Sequence, residues 1–220
     1  NLTMVYRAKN GQEATAGLDL DMEDVKVEKL IALFPSIDTL VPMLRSFEGV
    51  LDCQVTATCK MDSTMSLIMP SINSSCYLHG NNMVLLDGET FTEISKTLMF
   101  KNKKRNMIDS ISVDLAIKDN KIEVFPFLVE MDRYKVAVGG THNLDMTFNY
   151  HLSVLKSPVP FKLGIDITGN LDNFKYKITN VNTRIYSSRP SKRNWTAHAR
   201  ISGKISATQY ANRSRKLRRN

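Results

Sequence analysis

The chain has 220 residues, 42% of them apolar and 24% charged, with a formal net charge of +8. This composition excludes a disordered or fibrous protein and allows one large domain or two small ones. No apolar run approaches the roughly 20 residues that span a bilayer, and no secretory signal pattern is visible after Asn1, which reads as the start of a segment of a longer protein. The charge is unevenly placed: all 22 acidic residues lie at or before Asp172, whereas Asn173–Asn220 holds 13 Lys and Arg and no acid. The first 172 residues therefore carry 17 basic against 22 acidic groups, a net −5, and the rest carries +13. Such a block is either a solvated terminus or a surface for an anionic partner, with Arg213, Arg215, Lys216, Arg218 and Arg219 as its densest part.

Leu2–Arg7 alternates weakly, Asn10-Gly11 is turn-like, and Thr15–Leu20 reads as the return strand of a hairpin. From Asp21 to Phe34 the period changes. Val25, Leu30, Ile31 and Phe34 follow helical spacing, and Asp21, Glu23 and Asp24 sit where carboxylates favour a helix N-terminus. Pro35 ends that helix, and Ile37–Phe47 reads as a second one, interrupted at Pro42. Gly49 is a break. Leu51–Met61 then alternates cleanly, with Leu51, Cys53, Val55, Ala57, Cys59 and Met61 on one side. Met65–Met69 suggests one helical turn before Pro70, Tyr77–Leu86 a strand, and Glu89–Phe100 a helix.

The clearest segment follows. Ile111, Val113, Leu115 and Ile117 alternate with polar residues up to the turn Asp119-Asn120. Ile122–Glu130 is the next strand, with Pro126 marking an edge or a bulge. Tyr134, Val136 and Val138 lead to Gly139-Gly140, read as a turn pair. Met146, Phe148, Tyr150, Leu152 and Val154 form another strand, then Phe161, Leu163, Ile165 and Ile167, then Phe174, Tyr176 and Ile178. Short turns between neighbours force antiparallel pairing, since a parallel return needs a long crossover. The expected fold class is mainly β (α+β): a curved antiparallel meander with one apolar face, flanked by a few short helices.

Catalytic signatures are missing from this pattern. No phosphate-cradling glycine loop occurs. His142, Asp145 and His151 lie in a β segment at a spacing that fits no helical ligand pair, so His142 is placed at a turn and the other two on the polar strand side, with no metal site expected. His79 and His198 have no evident partners. No Ser-His-Asp or Cys-His order can be argued, so no catalytic residue and no cofactor are expected. Three cysteines leave no closed disulfide framework. Cys53 and Cys59 read as buried small apolar residues, and one disulfide in an oxidising compartment stays open. A nucleic-acid role is unlikely on the sequence, because Trp195, Tyr210 and the basic tail come with no helix-turn-helix, zinc or RNA-binding signature.

Several blocks in order carry a family resemblance. Asn106-Met107-Ile108-Asp109-Ser110-Ile111-Ser112-Val113, Val124-Phe125-Pro126-Phe127, Gly140-Thr141-His142-Asn143-Leu144-Asp145-Met146, Phe148-Asn149-Tyr150-His151-Leu152 and Ser157-Pro158-Val159-Pro160-Phe161-Lys162-Leu163-Gly164 resemble the C-terminal region of AsmA-family proteins of the Bacteroidetes type. Phe34-Pro35, Pro42-Met43-Leu44 and Ser46-Phe47-Glu48-Gly49 fit the same pattern. The resemblance covers about residues 15–185, so the chain divides into a β domain at 1–185 and a basic tail at 186–220.

The resemblance implies a periplasmic protein held in the inner membrane by a helix upstream of this segment. It also implies kinship with TamB and bridge-like lipid-transfer proteins, whose apolar β-groove carries phospholipid or other acyl-chain lipid in outer-membrane biogenesis. Envelope proteins are the alternative partners. The family brings no catalytic motif. The groove residues expected here are Ile111, Val113, Leu115, Met146, Phe148, Tyr150, Phe161, Leu163 and Ile165. The competing reading is that helices at 21–47 and 89–100 cap this face as an ordinary core.

Overall fold

The computed structural model describes residues 2–9, 13–33, 42–86, 105–131, 133–143, 145–158, 162–170 and 173–182. These form one ten-stranded antiparallel sheet in which every strand lies beside its sequence neighbours. The strands are β1 (Leu2–Lys9), β2 (Glu13–Lys26), β3 (Phe47–Met61), β4 (Asn73–Leu86), β5 (Arg105–Lys118), β6 (Lys121–Met131), β7 (Tyr134–Asn143), β8 (Phe148–Lys156), β9 (Leu163–Gly169) and β10 (Phe174–Thr179). The expected meander is present, and it is longer than the six strands read from Ile111 onward. Among the described residues, β1 and β10 are its two edge strands.

The helix expected from Asp21 begins later. β2 continues through Asp21 and Met22, and only Val27–Leu33 is helical (α1). The reason lies across the sheet. The register shifts between Met22 and Val25, Asp24 takes a left-handed φ of 54°, and its N–H donates to Asp52 Oδ1 at 3.0 Å. Of the acidic residues read as helix N-terminal, Asp21 stays in the ladder opposite Gln54, and Glu23 and Asp24 form a bulge fixed by β3. Of the second expected helix, Pro42–Ser46 is a short 3-10 turn, Phe47 already begins β3, and residues 37–41 lie outside the described residues, as does the helix expected at 89–100.

Gly49, read as a break, lies inside β3 with φ 141°, opposite a bulge in β4, since between the Glu48–Val84 and Val50–Asn81 pairs one residue of β3 faces two of β4. A β-carbon on Gly49 or Gly80 would meet Met83 Sδ at 2.8 or 2.7 Å, so this glycine pair makes the space that a buried methionine fills. The Asp119-Asn120 turn is confirmed, with φ of 52° and 61°, the paired left-handed values of a two-residue hairpin.

Gly139-Gly140 is not a turn: β7 runs through both to Asn143. Their missing side chains serve close packing instead. A β-carbon on Gly139 would meet Pro126 at 3.2 Å, and one on Gly140 would meet the Tyr150 ring at 2.7 Å. Both readings of Pro126 hold in part. The β6–β7 register shifts between Val124 and Phe127, and β6 pairs with β5 only along Lys121–Val124. Beyond that point β6 has no strand on its β5 side among the described residues.

The main core sits at one end of the sheet. Val27 and Leu30 of α1 and Leu44 of the 3-10 turn pack with Leu51, Cys53, Met83, Leu85, Ile108, Ile111 and Met131. Leu30 is 1% exposed. Phe127 and Val129 of β6 join this cluster from the part of the strand that has left β5, so the two halves of the sheet meet there through side chains.

Candidate functional site

Residues directly opposite in an antiparallel pair project to the same side of the sheet, so the register identifies each side. One row crosses all ten strands: Leu2, Leu20, Val55, Cys76, Leu115, Val124, Gly140, Tyr150, Ile167 and Tyr176. The adjacent row on the opposite side reads Thr3, Asp19, Thr56, Ser75, Ala116, Glu123, Thr141, Asn149, Thr168 and Lys175. The first contains no polar residue except the Tyr hydroxyls, and the second only one apolar residue. At about 4.8 Å between strands, the apolar row extends roughly 43 Å from edge to edge. Every hairpin therefore preserves the apolar side, although each could have inverted it by slipping one residue.

Of the expected groove residues, Ile111, Val113, Leu115, Phe148, Tyr150, Leu163 and Ile165 share this side through the register. They do not share one environment. Ile111 and Val113 belong to the cluster beneath α1. Leu115 packs with Ile122 and Val124, beside Tyr150. Ile165, 1% exposed, packs with Ile167, Phe148, Leu163 and Phe174. The capping of the apolar side by α1 thus applies to its first part.

Met146 is corrected: β8 begins at Phe148, and Met146 sits in the preceding turn with φ 71°. Phe161 and the basic residues Arg213, Arg215, Lys216, Arg218 and Arg219 lie outside the described residues. At both rims the apolar side is uncovered, with Leu2, Met4 and Tyr6 exposed on β1 and Tyr176 and Ile178 on β10.

His142 and Tyr150 bring polar groups into the apolar side. His142, expected at a turn, stands in β7, opposite Ile122 and Phe148, and is 3% exposed. Its ring stacks on Phe148 with centroids 6.2 Å apart, and its buried Nε2 has no hydrogen-bond partner among the described residues. Burial holds its pKa below the ordinary imidazole value, against a small opposing pull from Asp145. Tyr150, between them and Leu115, has its pKa pushed up to about 12 by burial. The Cys53 and Cys76 thiols are hydrogen-bonded across β3 and β4, which raises the Cys76 pKa well above the ordinary thiol value. Cys59 is only half-buried.

The polar side holds a network that sequence order concealed. His151 Nδ1 lies 2.5 Å from Asp166 Oδ1 on β9, and His151 Nε2 lies 3.0 Å from Ser153 Oγ. Asn182 N–H donates to the same Ser153 Oγ at 3.1 Å. The arrangement is satisfied when Nδ1–H donates to Asp166 and the Ser153 hydroxyl donates to Nε2.

Asp, His and Ser stand in the order of a nucleophile relay, but Ser153 is 1% exposed, and the chain after β10 crosses over it. Gly164 leaves the room for that crossing, since a β-carbon there would meet Thr179 Oγ1 at 2.8 Å and the Asn180 backbone. The network fastens residues 180–182 to the sheet. His151 and Ser153 are two apart on one strand and so face one side, a signal available in the sequence. Asp166 enters only through the β8–β9 register.

His79 also has a partner: its Nδ1 lies 2.8 Å from Ser112 Oγ, and its ring stacks on Tyr77. Among the described residues no group of three or more His, Cys, Asp or Glu could hold a metal ion, and no helix is long and apolar enough to cross a membrane. Comparison with protein-family models, curated proteins and solved structures finds no match.

Proposed function

We propose that this chain is the AsmA-like part of an envelope protein that binds phospholipid, or another acyl-chain lipid, on the apolar side of its sheet and conducts it across the strands. The observation that carries this reading is the apolar row that crosses all ten strands and is uncovered at both rims. An ordinary two-layer core has no need of apolar residues on its edge strands, whereas a lipid-bearing surface does. The block-by-block resemblance to AsmA-family proteins supports this reading, and under it the protein works in the periplasm, anchored at the inner membrane, in outer-membrane biogenesis.

The test is native mass spectrometry of the 220-residue chain purified without stripping detergent, followed by labelling with a phospholipid carrying a diazirine in its acyl chain. Retained phospholipid with adducts on β8–β10 peptides is the expected result, and Ile178→Asp should reduce it. Absence of retained lipid, or adducts distributed over all exposed peptides, would refute the reading.

The second reading is a scaffold for outer-membrane protein assembly, favoured by the two sheet edges at β1 and β10, which no strand covers among the described residues. Cross-linking in cells separates the two: protein adducts along β1 or β10 support the scaffold, and lipid adducts on the apolar side support the carrier.

A further inference from the structure

The β3–β4 connection, residues 62–72, carries an unusual concentration of exposed apolar side chains. Met65, Leu67 and Met69 are 55%, 53% and 46% exposed. Yet the loop is tightly ordered by its own bonds. Asp62 Oδ1 accepts from the N–H groups of Thr64 and Ser66 and from the Thr64 hydroxyl. Asp62 N–H reaches Ser66 O, Met65 N–H reaches Asp62 O, Ile68 N–H reaches Lys60 O, and Ser71 and Ile72 N–H reach Ile68 O and Met69 O. Ser71 Oγ accepts the Lys60 N–H and donates to Ile68 O. Met65 is held at a left-handed φ of 65°, and its sulfur receives the Tyr6 hydroxyl at 3.2 Å.

From these observations we infer that residues 65–69 are a membrane-inserting tip that seats the end of the sheet in the interface of a lipid bilayer. This goes beyond the proposed function and does not rest on it. Three features favour a bilayer over a protein pocket.

The first is backbone satisfaction. A bilayer penalises every unpaired N–H and C=O, and most N–H groups of this loop are already bonded within it. The second is charge. From Ser63 to Leu86 the sequence contains no Asp, Glu, Lys or Arg, so insertion drags no ion with it. The carboxylate at the loop's base is occupied by its three donors. The third is shape and chemistry. Alternate residues 65, 67 and 69 expose flexible thioether and branched aliphatic side chains, which suits a fluid phase that conforms to them. Tyr6, which faces the apolar side of the sheet, touches this tip, so a seated loop brings the apolar row to the membrane surface.

The experiment uses the 220-residue chain and neutral phosphatidylcholine vesicles, to which the basic residues after Asn173 have no electrostatic attraction. The unaltered chain should float with the vesicles, and the double variant Met65→Asp, Leu67→Asp should bind at least about tenfold more weakly, given the cost of a carboxylate at membrane depth. A Leu67→Trp reporter in a Trp195→Phe background should shift its emission to the blue on adding vesicles and be quenched by brominated acyl chains. Circular dichroism checks that each variant keeps its sheet. Equal flotation of the unaltered chain and the double-Asp variant, or an unquenched reporter, overturns the proposal. So does a blue shift that appears without lipid and vanishes on dilution, which would show a second copy covering the loop.

Discussion

Single side chains decide how this sheet tolerates polar groups in unusual places. His142 is buried, with Nε2 unpaired among the described residues. Its folded-state pKa lies below the unfolded value near 6.5, so the unfolded chain binds the proton more readily. Stability from this site is therefore complete above about pH 6.5 and is lost as pH falls toward the folded pKa. Urea midpoints measured between pH 7.5 and 5 should decline in the unaltered chain, and His142→Phe should remove part of that decline. Ser153 gives the converse case, a buried hydroxyl fully engaged by His151 and Asn182. Ser153→Ala strands a ring nitrogen and an N–H together, at a cost of about 1–3 kcal/mol. Thermal denaturation should show the loss, and hydrogen exchange should speed up at Asn182 before it does in the sheet.

The elements differ in how far their sequences announce them. The strands from β5 to β10 were legible because alternation and turn residues agreed, and Asp119-Asn120 was recognisable as a hairpin turn from its residue types. The start of α1 was not, because Asp21, Glu23 and Asp24 suit a helix N-terminus and a bulge equally well. The deciding partner, Asp52, lies 28 residues on. Gly139 and Gly140 misled for a related reason: turn chemistry and close cross-strand packing both select glycine, and only the positions of Pro126 and Tyr150 tell them apart. The groove side was legible as alternation, but its division into a part under α1 and parts beyond it depends on where that helix folds. α1 has seven residues, too short to persist alone, so its packing must hold it. Leu30→Ala should cost about 2–5 kcal/mol by leaving a cavity beneath the helix. A matching drop in the denaturant midpoint with an unchanged slope would be the signature of such a loss.

At the scale of the whole molecule, the sheet gains its coherence from register more than from layering. Ten strands in sequence order keep one side apolar, and among the described residues bulges in β2, β4, β6 and β8 shift the register without inverting that side. The β5–β6 seam has a mechanical meaning. Among the described residues, hydrogen bonds join the two strands only along Leu115–Lys118. Above that stretch the halves meet through Ile108, Ile111, Phe127, Val129 and Met131, contacts that have no preferred direction. Among the described residues this seam is thus held in two ways, by directional ladder hydrogen bonds at one end and by non-directional side-chain packing at the other.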